Sequence, residues 1–238
     1  MTRTAIWQNI HQDLADDIAS ARYHPGDKLP TEAELATRFH VNRHTVRRAL
    51  AELRDAGLIY VRRGAGAFVA QQVVPYRLGE KTRFTQNLQA AGQTGQRQIL
   101  RLETLPGDAT ETEALGLKKG ALVHLYEGLA SVDNAPFTYG KSAFPAEMLP
   151  GFPDALRETL SVTQALQLTG VDDYRRSWTR ITATLSQGAM ARHLKLGNGR
   201  PMLHTVSLNT TSDGTPVEFG RTWFAGDRAE LVVNDADN

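Results

Sequence analysis

The sequence contains no cysteine among its 238 residues, which excludes disulfide bonds and thiolate metal ligands. It also has no uninterrupted apolar run near the roughly 18 residues that a membrane-spanning helix requires. The opening stretch, MTRTAIWQNI, lacks the apolar core of a secretory signal. These absences predict a cytoplasmic protein with no membrane partner.

Catalytic motifs are also absent. The sequence has no Gly-x-Ser-x-Gly, no His-Glu-x-x-His and no phosphate-binding loop. Its seven histidines are scattered, and we interpret His124, His193 and His204 as core or surface residues rather than metal ligands. We therefore expect no catalytic residue, no metal and no cofactor, with an enzyme as a remote alternative.

Positive charge is unevenly distributed, although the net charge is only +1. Residues 1–37 contain three basic and six acidic side chains, whereas residues 38–64 contain seven basic and two acidic ones. Such a local concentration of positive charge is typical of proteins that bind DNA phosphates. A solvated basic helix is the alternative, and the pattern of the surrounding helices decides between the two.

Three helices are predicted before residue 57. The first follows an apolar stripe with four-residue spacing: Ile6, Ile10, Leu14 and Ile18. Thr31 and Glu34 form a capping-box pattern that predicts the start of the second helix. Asn42 is a favourable N-cap for the third helix.

The third helix separates its apolar and basic side chains. At about 100° per residue, its apolar side chains fall on one face: Val46, Ala49, Leu50 and Leu53. Arg43, His44 and Arg47 share an arc beside that face, and Arg48 lies just beyond it. The arc is near the N-terminal end of the helix, which enters the major groove in helix-turn-helix proteins. This arrangement favours DNA recognition over a solvated surface.

A basic hairpin follows the third helix. Gly57 ends the helix, and two short apolar strands, 58–61 and 67–70, flank the sequence RRGAG. Arg63 and Gly64 lie at the tip, where arginine can reach the minor groove or phosphates and glycine lets the backbone approach DNA closely. Three helices and a basic hairpin together predict a winged helix-turn-helix.

Residues 25–70, PGDKLPTEAELATRFHVNRHTVRRALAELRDAGLIYVRRGAGAFVA, resemble the GntR superfamily of bacterial winged-helix regulators. The GAGAFVA ending and the chain length resemble the HutC subfamily, whose C-terminal domain is called UTRA. More narrowly, NRHTVRRAL, YRLGEKTRFTQNLQAAG and PVEFGRTWFAGDR resemble subfamily members associated with phosphonate uptake and carbon–phosphorus bond cleavage. The resemblance implies a homodimeric repressor that binds an inverted-repeat operator in double-stranded DNA.

The resemblance also implies which residues contact DNA: Arg43, His44, Thr45, Arg47, Arg63 and Gly64. Arg43 and Arg47 can each donate two hydrogen bonds to guanine O6 and N7, and Thr45 is expected at a phosphate. Two positions depart from the family pattern. Ala33 replaces a basic residue that many relatives carry, and His40 replaces the commoner glycine of the turn.

The chain beyond residue 70 predicts an α+β domain. We divide the sequence into a winged helix-turn-helix domain (1–70), a linker (71–81) and an effector-binding and dimerisation domain (82–238). Strands are predicted at 98–105, 121–132, 136–144, 174–186, 201–211 and 217–225. Helices are predicted at 84–91, 108–116, 162–169 and 187–194. This antiparallel sheet with helices fits the chorismate-lyase-like fold that the UTRA resemblance implies.

The last domain is expected to bind a small anionic effector, a phosphonate or another phosphate-containing molecule. Candidate effector-binding residues come from two helix starts and two strands: Lys81, Arg83, Phe84, Thr85, Tyr139, Lys141, Ser142, Ser161, Glu218 and Arg221. Which face of each strand lines the pocket stays open, because alternate residues point to opposite sides. A sugar phosphate, an amino acid or urocanate is the alternative effector. A further alternative is a domain that only dimerises.

Overall fold

The computed structural model describes residues 6–20, 22–62, 64–70, 73–132 and 135–233. Arg63, one of the predicted DNA contacts, lies outside the described residues. The chain divides into two compact units, Met1–Gln72 and Val73–Asn238. We call them the first unit and the second unit.

The first unit contains three helices and a hairpin, as the sequence predicts. Its elements are α1 (Ile6–Ala19), α2 (Glu32–Phe39), α3 (Arg43–Asp55), β1 (Ile59–Arg62) and β2 (Gly66–Val69). Strands β1 and β2 pair antiparallel. Lys28 forms an isolated antiparallel bridge with Phe68, which adds a third backbone segment to the hairpin.

Local hydrogen bonds fix the ends of α2 and α3. The Thr31 hydroxyl accepts from the Glu34 backbone N–H at 3.3 Å, and the Glu34 carboxylate accepts from the Thr31 N–H at 2.7 Å, which confirms the capping box. Asn42 caps α3 by accepting from the Thr45 N–H at 2.9 Å. His40 ends α2 in the left-handed conformation, with φ 53°. Histidine is enriched among the non-glycine residues that adopt this conformation, so the turn forms without glycine.

Apolar faces of the helices form the core of the first unit. The buried positions of α3 are the predicted ones: Val46, Ala49, Leu50 and Leu53. Ile10 and Leu14 of α1 join this core. The prediction was wrong at Ile6, which is 62% exposed because it lies at the first position of α1, outside the core cluster. Burial of the apolar face of α3 leaves its basic face in solvent.

The second unit is built on a six-stranded antiparallel sheet with the strand order β4-β5-β6-β9-β8-β7. Its strands are β4 (Gly95–Pro106), β5 (Leu122–Val132), β6 (Ala135–Pro145), β7 (Arg175–Leu185), β8 (Pro201–Thr210) and β9 (Pro216–Ala225). Its helices are α4 (Phe84–Ala90), α5 (Ala109–Ala114), α6 (Phe152–Thr159), α7 (Val162–Leu168) and α8 (Gly188–His193). Every predicted strand and helix of this region is present, and the α+β class is confirmed.

Three elements of the second unit were not predicted: strands β3 (Val74–Leu78) and β10 (Ala229–Val233) and helix α6. Strand β3 pairs parallel with β10 and contains Pro75, which is tolerated in such a small edge pair. The linker interpretation of residues 71–81 therefore needs correction, since Val74 and Tyr76 are buried in the second unit. Helix α6 carries proline in its first turn, a position that favours a helix start.

The sheet has two differently covered faces. One face, which we call the cavity face, carries Tyr126, Ser142 and Glu218. Helices α6 and α7 pack on its Tyr126 region, and α4 packs with β3 and β10 near Phe224. The opposite face, the reverse face, carries Lys141 next to Arg221, with α5 and α8 packed at different places on it. Alternation along each strand thus decides which side chains reach the covered cavity face.

Candidate DNA-binding surface and ligand cavity

The basic arc of α3 is exposed in the first unit. Arg43, His44 and Arg47 are all exposed, and they lie in the first turn and a half of the helix. The side chain of Arg43 has no hydrogen bond or ion pair to any of the described residues, although its charge acts on the Glu32 carboxyl. The hydroxyl of Thr45 donates to the Asn42 side chain at 2.9 Å. Thr45 therefore supports the helix start, and it can donate to a phosphate only by giving up this bond.

Arg47 is held from one side by a carboxylate. Its Nε donates to Glu32 Oε1 at 3.1 Å and its Nη2 donates to Glu32 Oε2 at 2.8 Å, which makes a bidentate pair between α3 and α2. The hydrogen bond from Arg47 holds the pKa of the Glu32 carboxyl below its ordinary value, and the charges of Arg43 and His44 act in the same direction. A carboxylate thus lies within the basic arc.

Other arginines of the basic segment are occupied by contacts within the first unit. The Arg48 guanidinium lies 4.4 Å from the ring centre of Trp7, a cation–π contact between α3 and α1. Arg38 pairs with Asp17 at 2.8 Å. Arg48 lies beyond the basic arc because of its position on the helix, and its side chain packs against α1.

The hairpin tip has the backbone that a wing requires. Gly64 has φ 76° and Gly66 has φ 110°, conformations that residues with a side chain rarely adopt. Arg62 lies over the rings of Tyr60 and Phe68 and donates to the Tyr60 hydroxyl at 3.1 Å. The stacked rings therefore hold a basic side chain next to the tip.

The second unit contains a partly open cavity of about 130 Å³ on its cavity face. The lining includes four charged side chains: Arg83, Arg97, Arg176 and Glu218. A wider depression of about 780 Å³ shares part of this lining and extends along the first turns of α4 and α7. The three arginines come from the start of α4, from β4 and from β7, and the carboxylate comes from β9.

Aromatic rings orient two of the cavity arginines. The Arg83 guanidinium lies 3.5 Å from the Tyr174 ring centre and donates to the Tyr174 carbonyl at 2.6 Å. The Arg97 guanidinium lies 4.5 Å from the Phe84 ring centre. Its Nε is buried and has no hydrogen-bond partner in the described part of the chain. A buried donor without a partner is costly, so Arg97 carries an unpaired donor beside the cavity that it lines.

Glu218 is bonded only to neutral donors. Its Oε1 accepts from the Ser142 hydroxyl at 2.7 Å, and its Oε2 accepts from the Asn209 side-chain amide at 2.7 Å. Asn209 in turn accepts from Arg176 Nε at 2.8 Å. Within the described ranges, Glu218 has no salt-bridge partner. Its negative charge is therefore available to a cationic or hydroxyl group of a ligand.

Tyrosines supply neutral polar groups beside these charges. Burial raises the pKa of Tyr126 and of Tyr174, so both phenols are protonated at neutral pH. The hydroxyls of Tyr174 and Thr163 share a hydrogen bond of 2.9 Å. Tyr126 lies over Gly128, where an added Cβ would be 1.9 Å from the phenol oxygen. Gly128 therefore provides the space that the Tyr126 side chain occupies.

Two family models match the sequence: bacterial regulatory proteins of the gntR family at residues 7–69, and the UTRA domain at residues 90–230. An uncharacterized HTH-type transcriptional regulator of Rhizobium meliloti (strain 1021) is 33% identical over 96% of this chain and 94% of that protein. The "Probable transcriptional regulator PhnF" of Escherichia coli (strain K12) is 30% identical over 95% of this chain and 94% of that protein. The crystal structure of PhnF from Mycobacterium smegmatis matches with a TM-score of 0.64 and 25% identity, covering 98% of this chain and 100% of that chain.

The chain belongs to the GntR family and carries a UTRA domain. It is a DNA-binding transcriptional regulator rather than an enzyme, like its similar relatives. The resemblance that the sequence motifs indicated is thereby confirmed for the family, for the UTRA subfamily and for the likeness to PhnF.

Six of the predicted effector residues lie around the ligand cavity of this GntR regulator. Arg83, Phe84, Ser142 and Glu218 line the cavity itself, while Thr85 and Ser161 line the adjoining depression. The Ser161 hydroxyl accepts from the Gln164 backbone N–H at 3.3 Å, which confirms its position as an N-cap. Because these six residues lie around one connected space, they remain candidates for effector contact.

Four predicted effector residues lie elsewhere. Tyr139 and Lys141 both donate to Glu127 on the reverse face, at 2.6 Å and 2.8 Å. Arg221 donates to Glu111 of α5 at 2.5 Å on the same face. They share that face because Lys141 and Arg221 are register partners, one residue away from Ser142 and Gly220. Lys81 is 65% exposed and pairs with Asp173 at 2.8 Å.

Sequence reasoning missed several cavity residues: Arg97, Tyr126, Tyr174, Arg176 and Asn209. None of them stands in the motifs that carried the family resemblance. One signal was available, since the aromatic–glycine alternation of YEG in β5 places Tyr126 and Gly128 on one face. The partners on β4 and β7 could not be found this way, because they depend on the strand order.

The histidines do not form a site. His124 is buried, where its Nε2 lies 2.9 Å from the Leu149 carbonyl and its Nδ1 lies 2.8 Å from the Thr104 hydroxyl. His193 stacks on Tyr139 and His204 stacks on Trp223. In the described ranges, no three His, Cys, Asp or Glu side chains are arranged to hold a metal ion. None of the helices that the structure describes is long and apolar enough to cross a membrane.

Proposed function

We propose that this GntR regulator represses genes for phosphonate uptake and degradation. A homodimer binds an inverted-repeat operator, and a small anionic effector releases it. The first unit reads the DNA through Arg43, His44 and Arg47, with Arg63 and Gly64 contacting it from the wing. The second unit binds the effector and holds the two subunits together.

The exposed arc of α3 supports the DNA-binding part. Arg43 has all of its donors available, because none of the described residues bonds to it. Together with Arg47 it can recognise guanine O6 and N7 in the major groove. A dimer presents this arc twice, so an operator with twofold symmetry satisfies both copies.

The effector part rests on one observation, the combination of charge and size in the cavity. Three arginines and one carboxylate line a space of about 130 Å³. A cavity of roughly 150 Å³ accommodates a molecule the size of benzene, so an effector with few non-hydrogen atoms fits this space. A short-chain phosphonate fits this space: its anionic oxygens can accept from Arg97, and an amine or hydroxyl can meet Glu218.

Release follows from linkage between the two binding events. An effector lowers operator affinity only if it binds the DNA-free arrangement more tightly than the DNA-bound one. In the cavity it supplies acceptors for the arginines of the lining and a charge partner for Glu218. The arrangement in which these groups face the ligand is the one that the effector stabilises.

A ligand panel tests the proposal. Thermal unfolding is measured with methylphosphonate, 2-aminoethylphosphonate, inorganic phosphate, glucosamine 6-phosphate, glutamate and urocanate, each at millimolar concentration. We expect a phosphonate to raise the unfolding temperature and to release fluorescent DNA carrying the promoter of phosphonate-metabolism genes. If the only stabilising compounds contain no phosphorus, the phosphonate assignment is refuted.

A sugar phosphate is the second candidate effector. The depression of about 780 Å³ beside the cavity gives room for a six-carbon ring if the phosphate occupies the inner space. If glucosamine 6-phosphate stabilises the protein and neither phosphonate does, the effector of this regulator is a sugar phosphate rather than a phosphonate. The Arg83→Ala variant should weaken either ligand, since Arg83 lines both spaces.

A further inference from the structure

Glu32 occupies an unusual position for an acidic side chain on a DNA-binding surface. It is the first residue of α2, and it is bonded to Arg47 of the recognition helix α3. The pair is open to solvent, with 61% of the Arg47 side chain and 36% of the Glu32 side chain exposed. Both residues are therefore accessible to bound DNA.

Capping of α2 does not require Glu32. The capping box is completed by Glu34, whose carboxylate accepts from both the N–H and the hydroxyl of Thr31. Glu32 instead extends towards α3. Its position in the first turn still places a negative charge at the positive end of the helix dipole, so a stability role must be separated from a recognition role by experiment.

The geometry of the pair leaves a defined edge of Arg47 free. A guanidinium has five N–H donors in a fixed planar fork. Glu32 takes the side edge formed by Nε and one Nη2 hydrogen. The end edge, with one hydrogen on each Nη, remains available, and two parallel donors of this kind match guanine O6 and N7. Glu32 thus fixes the guanidinium plane without using the donors that read a base.

The charge of Glu32 has a separate effect on binding to the DNA backbone. A cation that is already paired releases fewer counterions when it approaches phosphates. The carboxylate also repels phosphates that approach the basic arc. Arg47 in this pair is therefore better suited to a base edge than to the phosphate backbone.

We propose that Glu32 is a specificity-determining positioning residue: it presents the end edge of Arg47 to guanine and lowers affinity for non-operator DNA. The inference rests on the proposed assignment of Arg47 to base recognition. Glu32 itself touches no base in this arrangement. It acts through the orientation and the charge of Arg47.

The test compares two duplexes and four variants. One duplex is selected from a random library by the wild-type protein, and the other has the same composition in shuffled order. Dissociation constants for both are measured by fluorescence anisotropy over a salt series. The variants are Glu32→Ala, Glu32→Asp, Arg47→Ala and Asp55→Ala. Asp55 is the matched control, because it pairs with Arg54 at 2.7 Å near the other end of α3.

We expect Glu32→Ala to bind shuffled DNA more tightly, with a salt slope steeper by about 1 per subunit. The ratio of the two dissociation constants should fall roughly tenfold, the loss of one well-oriented base contact. Glu32→Asp keeps the charge at the helix start but is too short for the same bidentate pair, so its ratio should fall as well. Asp55→Ala should tighten binding to both duplexes equally and leave the ratio unchanged.

An unchanged ratio in folded Glu32→Ala or Glu32→Asp protein overturns the inference. If Glu32→Ala fails to fold, as judged by circular dichroism, the charge-preserving Glu32→Asp variant carries the test. Arg47→Ala separates this inference from the function on which it rests. If that variant retains the wild-type ratio, the assignment of Arg47 to base recognition is wrong. If Arg47→Ala lowers the ratio of the two dissociation constants while both Glu32 variants leave it at the wild-type value, only the role of Glu32 is refuted.

Discussion

On α3 the arginines lie on the surface of one continuous helix, whereas in the second unit they converge from three separate elements into a cavity. Arg43 has no partner among the described residues, and Arg47 is held on one edge only. In the cavity, Arg83 is 8% exposed and is held by a ring and a carbonyl. The arginine side chains of α3 are thus exposed to solvent, whereas Arg83 of the cavity is buried.

The difference matches the size of what each surface is proposed to bind. A DNA duplex supplies many contacts, so an exposed arginine can lose rotamer freedom on binding and still contribute. A small ligand makes few contacts, and arginines that are fixed in advance avoid that entropic cost. Substitutions on the two surfaces should therefore affect different equilibria.

The largest expected effect is on operator binding. Arg43→Ala should weaken specific binding roughly 5- to 150-fold for each recognition helix, because a bidentate guanine contact is worth about 1–3 kcal/mol. Arg54→Ala is the control, since Arg54 lies in the last turn of α3 and bonds to Asp55. Anisotropy with operator and shuffled DNA measures both variants. Equal losses in the two variants would show that only net charge matters.

Arg97→Ala should affect effector binding without affecting operator binding. Loss of a charge-assisted hydrogen bond should weaken effector binding by about 1.5–3 kcal/mol, measured by calorimetry, with operator affinity unchanged in the absence of effector. Lys141→Ala is the control, because Lys141 bonds to Glu127 on the reverse face. A comparable loss in Lys141→Ala would mean that the reverse face contributes to the site.

Two paired glycines give a matched test of the cavity wall. Gly128 on β5 and Gly140 on β6 are register partners. An added Cβ at Gly128 would lie 1.9 Å from the Tyr126 hydroxyl, whereas at Gly140 the nearest atom, Thr222 Oγ1, is 3.7 Å away. Gly128→Ala should lower the free energy of unfolding by about 1–3 kcal/mol in urea. Gly140→Ala should change it by less than about 0.5 kcal/mol.

The smallest expected effect is a pH dependence from His124. The Leu149 carbonyl can only accept, so His124 Nε2 carries the hydrogen and Nδ1 accepts from Thr104 in the neutral ring. Burial lowers the pKa of His124 below its ordinary 6.5. Between the two pKa values the unfolded chain binds more protons, so this contribution to stability is present above pH 6.5 and decreases as the pH falls below it.

Urea unfolding at pH 7.5 and pH 5.5 measures this effect. The free energy of unfolding should be lower at pH 5.5, and the difference between the two pH values should be smaller in His124→Gln. An equal difference in both proteins would assign the pH dependence to other groups.

Local sequence patterns were sufficient to predict the helices of the first unit. The apolar stripe of α3, the Thr31–Glu34 capping box and the Asn42 cap depend on residues within one or two turns, and all three are confirmed. In the second unit, alternation and turn residues predicted every strand of the large sheet. Strand β3 was missed because Pro75 interrupts its pattern and because its partner β10 lies far away in the sequence.

The cavity could not be predicted in the same way. Alternation separates Lys141 from Ser142, but it does not say which of the two faces is covered by α6 and α7. The arginines of β4 and β7 belong to the two edge strands of the sheet. Only the strand order and the helices above it bring Arg97 and Arg176 to one space.

Strand β3 has a further consequence for how the chain is connected. Its Tyr76 lines the cavity and contacts the rings of Phe84, Phe137 and Phe224, only a few residues after the boundary at Gln72. The wall of the second unit's cavity therefore begins within a few residues of the boundary between the two units.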